Sequence, residues 1–302
     1  MHKKNHWLVQ DEFFPQAQKL RDHFESQFKN PRVAHENRFV WDYWHIPNQY
    51  TLVRTPAYHY FPEALYEELE FALISWGKKH LGCHEISPPW LSYYVDGCSQ
   101  NLHADNPHGP WAFVFSLTPW ENRQFTGGET LILQPQVLSY WENFDSERGF
   151  EETDLIKKIA SPFNQLTVFD PRLPHGVSEV RGSKDPLDAR LVIHGWFTEP
   201  RPYYEGDLSE EELQSGLQPQ LDPLYDDLEE LGAYNGVVTV RLRVSTTGQV
   251  EKLEFLTDTL KAIEQGSAPE AEIISTIKDR LATATFNKKR HATDVTLPFV
   301  FK

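Results

Sequence analysis

Apolar positions in the first ninety residues recur every three to four residues in two stretches, Phe13–Phe28 and Pro62–His80, and that spacing predicts helices. In the second, Leu65, Leu69, Phe71, Ala72, Ile74 and Trp76 make one apolar face, which needs a layer to pack on. From Trp90 the period shortens. Seven short runs, Trp90–Val95, Asn101–His103, Trp111–Leu117, Glu129–Leu133, Gln165–Phe169, Gly176–Val180 and Arg190–Thr198, read as strands separated by Asp, Asn, Gly and Pro. Short strands in such number, with turn signals between them, predict a double-sheet jelly roll supported by the N-terminal helices.

Gln136–Lys158 interrupts the strands with acids and with Tyr140, Trp141, Phe144 and Phe150. A segment of that kind is either a lid over the barrel mouth or a cover for its exterior. Farther on, Gly236–Val244 and Val250–Leu256 alternate as a hairpin around Thr246-Thr247-Gly248-Gln249, Pro269–Ala284 reads as a helix and Val295–Phe301 as a strand. The expected architecture is therefore a β-rich α+β chain: a jelly roll over residues 1–204, a connector at 205–232 and a small α+β module at 233–302.

Charge sharpens that division. The net charge is −15, and ten acids with no Lys or Arg fall between Glu205 and Leu231. A solvated linker with a short amphipathic helix is the expectation there, with a docking strip for a basic partner as the alternative. So acidic a chain is not expected to bind nucleic acid, which needs a basic surface. No run approaches the ~20 apolar residues of a membrane helix, and Met-His-Lys-Lys-Asn-His-Trp lacks the apolar stretch of a secretory signal, so no membrane association and a cytoplasmic location are expected. Cys83 and Cys98 are too few for a disulfide framework or a thiolate metal site.

The candidate chemistry starts at His103-Ala-Asp105. On an extended strand, residues i and i+2 point the same way, so both side chains can reach one ion. His175, in Leu-Pro-His-Gly-Val between two strand-like runs, supplies a second imidazole from a neighbouring strand. Two imidazoles and one carboxylate are the set that holds non-haem Fe(II) with coordination positions open. Arg190 opens the strand Arg-Leu-Val-Ile-His-Gly-Trp, and a buried guanidinium is a planar fork for a carboxylate. A dicarboxylic keto acid chelating iron at one end needs such an anchor at the other. Tyr93 and Tyr94 lie on one strand, where period-two alternation turns one of them inward to assist. His108 is either a surface turn residue or a substrate contact. His194 shares parity with Arg190, as a neighbour of the site or a satisfied core histidine. Thr130 and Trp196 are candidate walls of the pocket.

Taken together, Tyr94-x-x-Gly97, His103-x-Asp105, Thr118-Pro119-Trp120, Gly127-Gly128-Glu129, Pro174-His175-Gly176 and Arg190 followed by Gly195-Trp196-Phe197 resemble the prolyl-4-hydroxylase-like branch of the Fe(II)/2-oxoglutarate dioxygenases. The resemblance spans residues 90–199. It implies a double-stranded β-helix in which Fe(II), 2-oxoglutarate and O₂ act together, with ascorbate as a candidate reductant. The keto acid is decarboxylated to succinate and an unactivated C–H bond is hydroxylated. On this likeness His103, Asp105 and His175 are the iron ligands, and Arg190, helped by Tyr94 or Tyr93, holds the distal carboxylate. Halogenating relatives carry a small residue where this chain has Asp105, so hydroxylation is implied. The polar loop Gly182–Asp188 departs from the pattern and lengthens one hairpin. A prolyl or other amino-acyl residue of a protein or peptide is the leading substrate, with a free amino acid or small metabolite as the alternative; a degenerate barrel used only for binding is the competing class. The final module resembles more loosely a TonB-type C-terminal domain, and partner binding or oligomerisation is what it is expected to do.

Overall fold

All seven expected runs between Trp90 and Thr198 form strands in the computed structural model, which describes residues 4–30, 32, 40–105, 108–138 and 155–302. They join one long antiparallel sheet in the order Trp7–Gln10, Leu166–Phe169, Trp111–Ser116, Arg190–Pro200, Trp90–Tyr94, Tyr50–Pro56, Ser99–His103, His175–Val177, Thr130–Leu133, Ile156–Ile159. Divided between Tyr50–Pro56 and Ser99–His103, that path makes two halves. From Trp90 the chain crosses from the first half to the second at Ser99, back at Trp111, across at Thr130, back at Leu166, across at His175 and back at Arg190. This to-and-fro course is the double-stranded β-helix. It brings residues from both halves around one cavity.

The chain divides into two compact units, the larger made of Trp7–Ala72 and Ile86–Phe197 and the smaller of Met1–His6, Leu73–Glu85 and Thr198–Lys302. In the larger, the Ala17–Phe28 helix buries Leu20 and Phe24 completely. Phe24 and Phe28 meet Tyr93 edge-on at 6.2 and 5.9 Å between ring centroids, and Trp41 closes on the same ring at 4.9 Å. The strand carrying Arg190 is therefore apolar on both sides: Leu191, Val192, Ile193 and Phe197 are all buried, as a strand covered on two faces requires.

The first ninety residues hold both expected helices, as Ala17–Phe28 and Glu63–Leu81, and strands besides. Asp42–Ile46 and Tyr50–Pro56 form a hairpin, and Trp7–Gln10 adds an edge strand. Asn48, at φ 62°, takes the left-handed turn conformation that short polar side chains tolerate, and Tyr50, Thr51, Val53 and Thr55 suit a strand. Of the Gln136–Lys158 insertion, Pro135–Leu138 is one helical turn and Ile156–Ile159 a strand at the barrel edge. Tyr140, Trp141, Phe144 and Phe150, on which the choice between lid and exterior cover turns, lie outside the described residues.

In the smaller unit the sheet runs Tyr203–Glu205, Thr293–Phe301, Tyr234–Val244, Val250–Asp258, backed by the Glu270–Ala282 helix. Residues 205–232, expected as an acidic connector, carry the end of the first of these strands and a 21-residue helix, Glu210–Glu230. Its Leu213, Leu217, Leu224 and Leu228 recur at helical spacing and join the buried core with Val238, Val240 and Ile277. Ser209 and Glu212 close a reciprocal capping box at its start. The acids occupy the remaining face, which is why charge alone reads as linker. Among the described residues no helix is long and apolar enough to cross a membrane.

Candidate metal centre

His103 ends the Ser99–His103 strand, and His175 begins the neighbouring one directly opposite it. Their closeness depends on Gly176, where a Cβ would lie 2.3 Å from the Gln100 carbonyl oxygen. Asp105 follows in a loop tied down by its own N–H, which donates to the Pro171 carbonyl at 2.9 Å. Ligand atoms of His103, Asp105 and His175 all lie within 4.8 Å of one another. Asp105 presents one oxygen to each imidazole, Oδ1 at 3.4 Å from His103 Nε2 and Oδ2 at 3.3 Å from His175 Nε2. Adjacent ligands bound at ~2.1 Å to one ion stand about 3 Å apart, so this spacing suits an ion between them.

The tautomers suit it as well. His103 Nδ1 is 2.9 Å from the Asn101 carbonyl and His175 Nδ1 2.9 Å from the Leu173 carbonyl. A carbonyl oxygen only accepts, so each Nδ1 carries the proton and donates. Each Nε2 then presents its lone pair on the Asp105 side, the arrangement that metal-binding histidines use. Burial would raise the Asp105 pKa, but the two neighbouring imidazoles, which in their protonated form carry a donor at Nε2 as well, outweigh it and hold the carboxyl well below the usual range. For His103 burial works downward and Asp105 prevails, so its pKa rises.

Trp196, expected as a pocket wall, does something more specific: its indole N–H donates to Asp105 Oδ2 at 3.1 Å and orients the carboxylate. His108 lies exposed at the rim, its ring 4.6 Å from that of Trp196. Gln100, which sequence reasoning missed, reaches His103 Nε2 with its amide at 3.3 Å.

The triad lines a cavity of about 250 Å³ that also holds Arg190, Tyr94, Thr130 and His194. Arg190 is 1% exposed. It donates through Nη2 to Thr130 Oγ1 at 3.2 Å, its guanidinium carbon lies 4.8 Å from the Tyr94 ring centroid, and its Nε has no partner. It forms no ion pair among the described residues, so a buried cation faces the cavity with donors to spare. Tyr94 and Arg190 are paired across the ladder. Burial raises the Tyr94 pKa. Tyr93, the other candidate, points to the opposite face and belongs to the Phe24, Phe28 and Trp41 cluster; it is corrected from a pocket residue to a packing one. His194 hydrogen-bonds Ser92 Oγ at 2.8 Å, and burial, with Arg190 and Arg54 adding to it, pushes its pKa down to about 3. It is a neutral imidazole at physiological pH.

Gly127 and Gly128 make room for the guanidinium. Both have positive φ, 76° and 79°, and a Cβ on Gly128 would stand 3.2 Å from Arg190 Cδ. On Gly127 it would fall 1.9 Å from the Glu179 carbonyl oxygen. Glu129 accepts from Ser178 Oγ at 2.5 Å and pins the same turn. Gly127→Ala is accordingly expected to destabilise the fold by roughly 2–3 kcal/mol through backbone strain and a clash with main chain. Chemical denaturation measures it, and an unchanged midpoint would contradict the close approach.

No family model matches the sequence, and no curated protein matches it. Solved structures do. A prolyl-4-hydroxylase from Pseudomonas putida is 15% identical, with 64% of this chain and 92% of that chain covered and a TM-score of 0.43. The viral collagen prolyl hydroxylase of Paramecium Bursaria Chlorella virus-1, solved as a 2-oxoglutarate complex, is 12% identical over 64% of this chain and 95% of its own, at 0.40. HygX from Streptomyces hygroscopicus, with nickel and 2-oxoglutarate bound, is 12% identical over 64% and 82%, at 0.40. Each is similar to this chain in trace, and the chemistry of the site is carried by this chain's own residues.

Proposed function

We propose that this chain is an Fe(II)- and 2-oxoglutarate-dependent dioxygenase that hydroxylates an unactivated C–H bond, on a prolyl or other amino-acyl residue of a protein or peptide. One observation carries the reading: a two-histidine, one-carboxylate cluster and a buried guanidinium that has no carboxylate partner among the described residues share one cavity. The donor set fits iron, and the spare donors of Arg190, with the Thr130 hydroxyl and the Tyr94 phenol, fit the distal carboxylate of a keto acid.

When bound, iron with 2-oxoglutarate and O₂ supplies the oxidising power. The protein's residues do the rest. His103, Asp105 and His175 would hold the ion, while the Trp196 indole N–H keeps the Asp105 carboxylate in place beside the two imidazoles. Arg190 would pair with the far carboxylate of the keto acid. Val192, Phe113 and Val177 supply apolar wall that keeps water from the reacting centre.

The test is turnover of 2-oxoglutarate by the protein with Fe(II) and ascorbate, first against peptide and then against metabolite fractions of a cell extract. Succinate should form in step with a product heavier by one oxygen atom. A peptide product supports the leading substrate class and a small-molecule product the alternative. Neither succinate nor iron binding would reduce the barrel to a binding module.

A further inference from the structure

A second guanidinium lines the same cavity. Arg54 lies on the Tyr50–Pro56 strand with Tyr50 and Leu52 at the same parity, and all three reach the cavity. Its guanidinium carbon is 3.2 Å from the ring centroid of Trp44 and 3.9 Å from that of Trp90. Stacking on indoles holds the flat group by its faces and leaves its N–H donors only in the plane. Its Nε is buried without a partner. Asp42 sits opposite in the hairpin ladder but is exposed and acts on Arg54 only at a distance, and the Arg54 guanidinium makes no ion pair or hydrogen bond among the described residues. Leaving a buried N–H unsatisfied costs roughly 1–3 kcal/mol, and simple packing of two indoles would not need a cation there.

We propose that Arg54 is the anchor for a carboxylate on the molecule to be oxidised, so that the substrate is an acidic one. The inference rests on the keto-acid reading of Arg190: 2-oxoglutarate has two carboxylates, one for the ion and one for Arg190, and neither is left for Arg54. The chemistry is a carboxylate met by a planar fork. It comes either from an acidic side chain within a peptide or from the α-carboxylate of a free amino acid.

The experiment reads the Arg54 Nε–H signal in ¹⁵N spectra of the full chain loaded with diamagnetic Zn(II) and saturating 2-oxoglutarate, assigned by its loss in Arg54→Gln. The probes are N-acetyl-L-glutamate α-amide for a peptide side chain, L-proline for a free amino acid, and N-acetyl-L-glutamine amide as the neutral control. At least one carboxylate probe should shift the signal while the control leaves it in place, and the responding probe names the source. Trp44 and Trp90 fluorescence should follow the same titration, with an apparent affinity about 10- to 100-fold weaker in Arg54→Gln and incompletely restored in Arg54→Lys, which keeps the charge and loses the fork. No shift from either carboxylate, an equal shift from the control, or a signal that responds to 2-oxoglutarate itself would overturn the proposal. The Arg190 signal, recorded in the same spectra, separates the two readings. If 2-oxoglutarate leaves it unmoved while the probes shift Arg54, the dioxygenase reading fails and the anion site stands; the converse removes the Arg54 inference alone.

Discussion

Asp105→Ala is expected to lose metal-dependent 2-oxoglutarate decarboxylation outright, with affinity for Fe(II) falling more than about 100-fold. That figure is a lower bound, because removing a group that merely supports a ligand costs 10- to 100-fold, and here the ligand itself goes. Asp105 is the only anion of the cluster and meets both imidazoles. Without it the ion would face two neutral nitrogens and forfeit its charge balance. His175→Ala should have the same effect on turnover by another route, since it removes the ligand that the register places opposite His103. Anaerobic metal titration and succinate release measure the two quantities, and wild-type-like succinate formation by either variant would sink the assignment.

Arg190→Met should separate binding from stability. Loss of a desolvated, hydrogen-bonded charge partner costs about 2–5 kcal/mol, which is a rise of roughly 30-fold to several-thousand-fold in the 2-oxoglutarate Kd. Met has a stem of similar length for the channel that Gly128 leaves open. In the ligand-free protein the substitution removes a buried cation that has no ion pair among the described residues, Glu129 acting on it only at a distance, and such replacements are often neutral or stabilising. Melting temperature is therefore expected to stay level or rise while keto-acid binding collapses. Arg190→Lys should not restore binding, because a point charge lacks the fork that Thr130 and Tyr94 frame. Calorimetric titration of the Zn(II)-loaded variants decides it: a 2-oxoglutarate Kd like that of the unsubstituted protein would leave Arg190 without its role.

How much of the fold and site was legible in the chain depends on how far apart the cooperating residues lie. His103-x-Asp105 is a local pattern on one strand, and strand periodicity carries it. Arg190 announced itself by opening an apolar strand. Tyr93 and Tyr94 show where periodicity stops: it says that the two point opposite ways, and only the Phe24 and Phe28 side chains packed behind the sheet decide which is which. Trp196 and Asp105 are distant in sequence, so a hydrogen bond between them leaves no local trace. Arg54 was harder still, because no strand was expected where the hairpin carrying it forms, and its two indoles come from different strands. In the Glu210–Glu230 segment the acids outnumber the leucines, so a solvated linker with a short amphipathic helix was expected and not a 21-residue helix whose leucines join a buried core.

The ladder contacts His175 to His103 and Arg190 to Tyr94 have a consequence for how this chain can change over generations. A side chain can be exchanged on these strands and the loss stays where it occurred. A single inserted or deleted codon in Trp90–Tyr94 would instead turn Tyr93 inward and Tyr94 out, and would move every neighbour to the wrong side at once. Length variation is therefore tolerable in the loops that join the strands, as the long Gly182–Asp188 excursion illustrates, and lethal to the site within them. The lineage of such a barrel would be expected to record many substitutions and almost no frame-preserving indels in those few short strands.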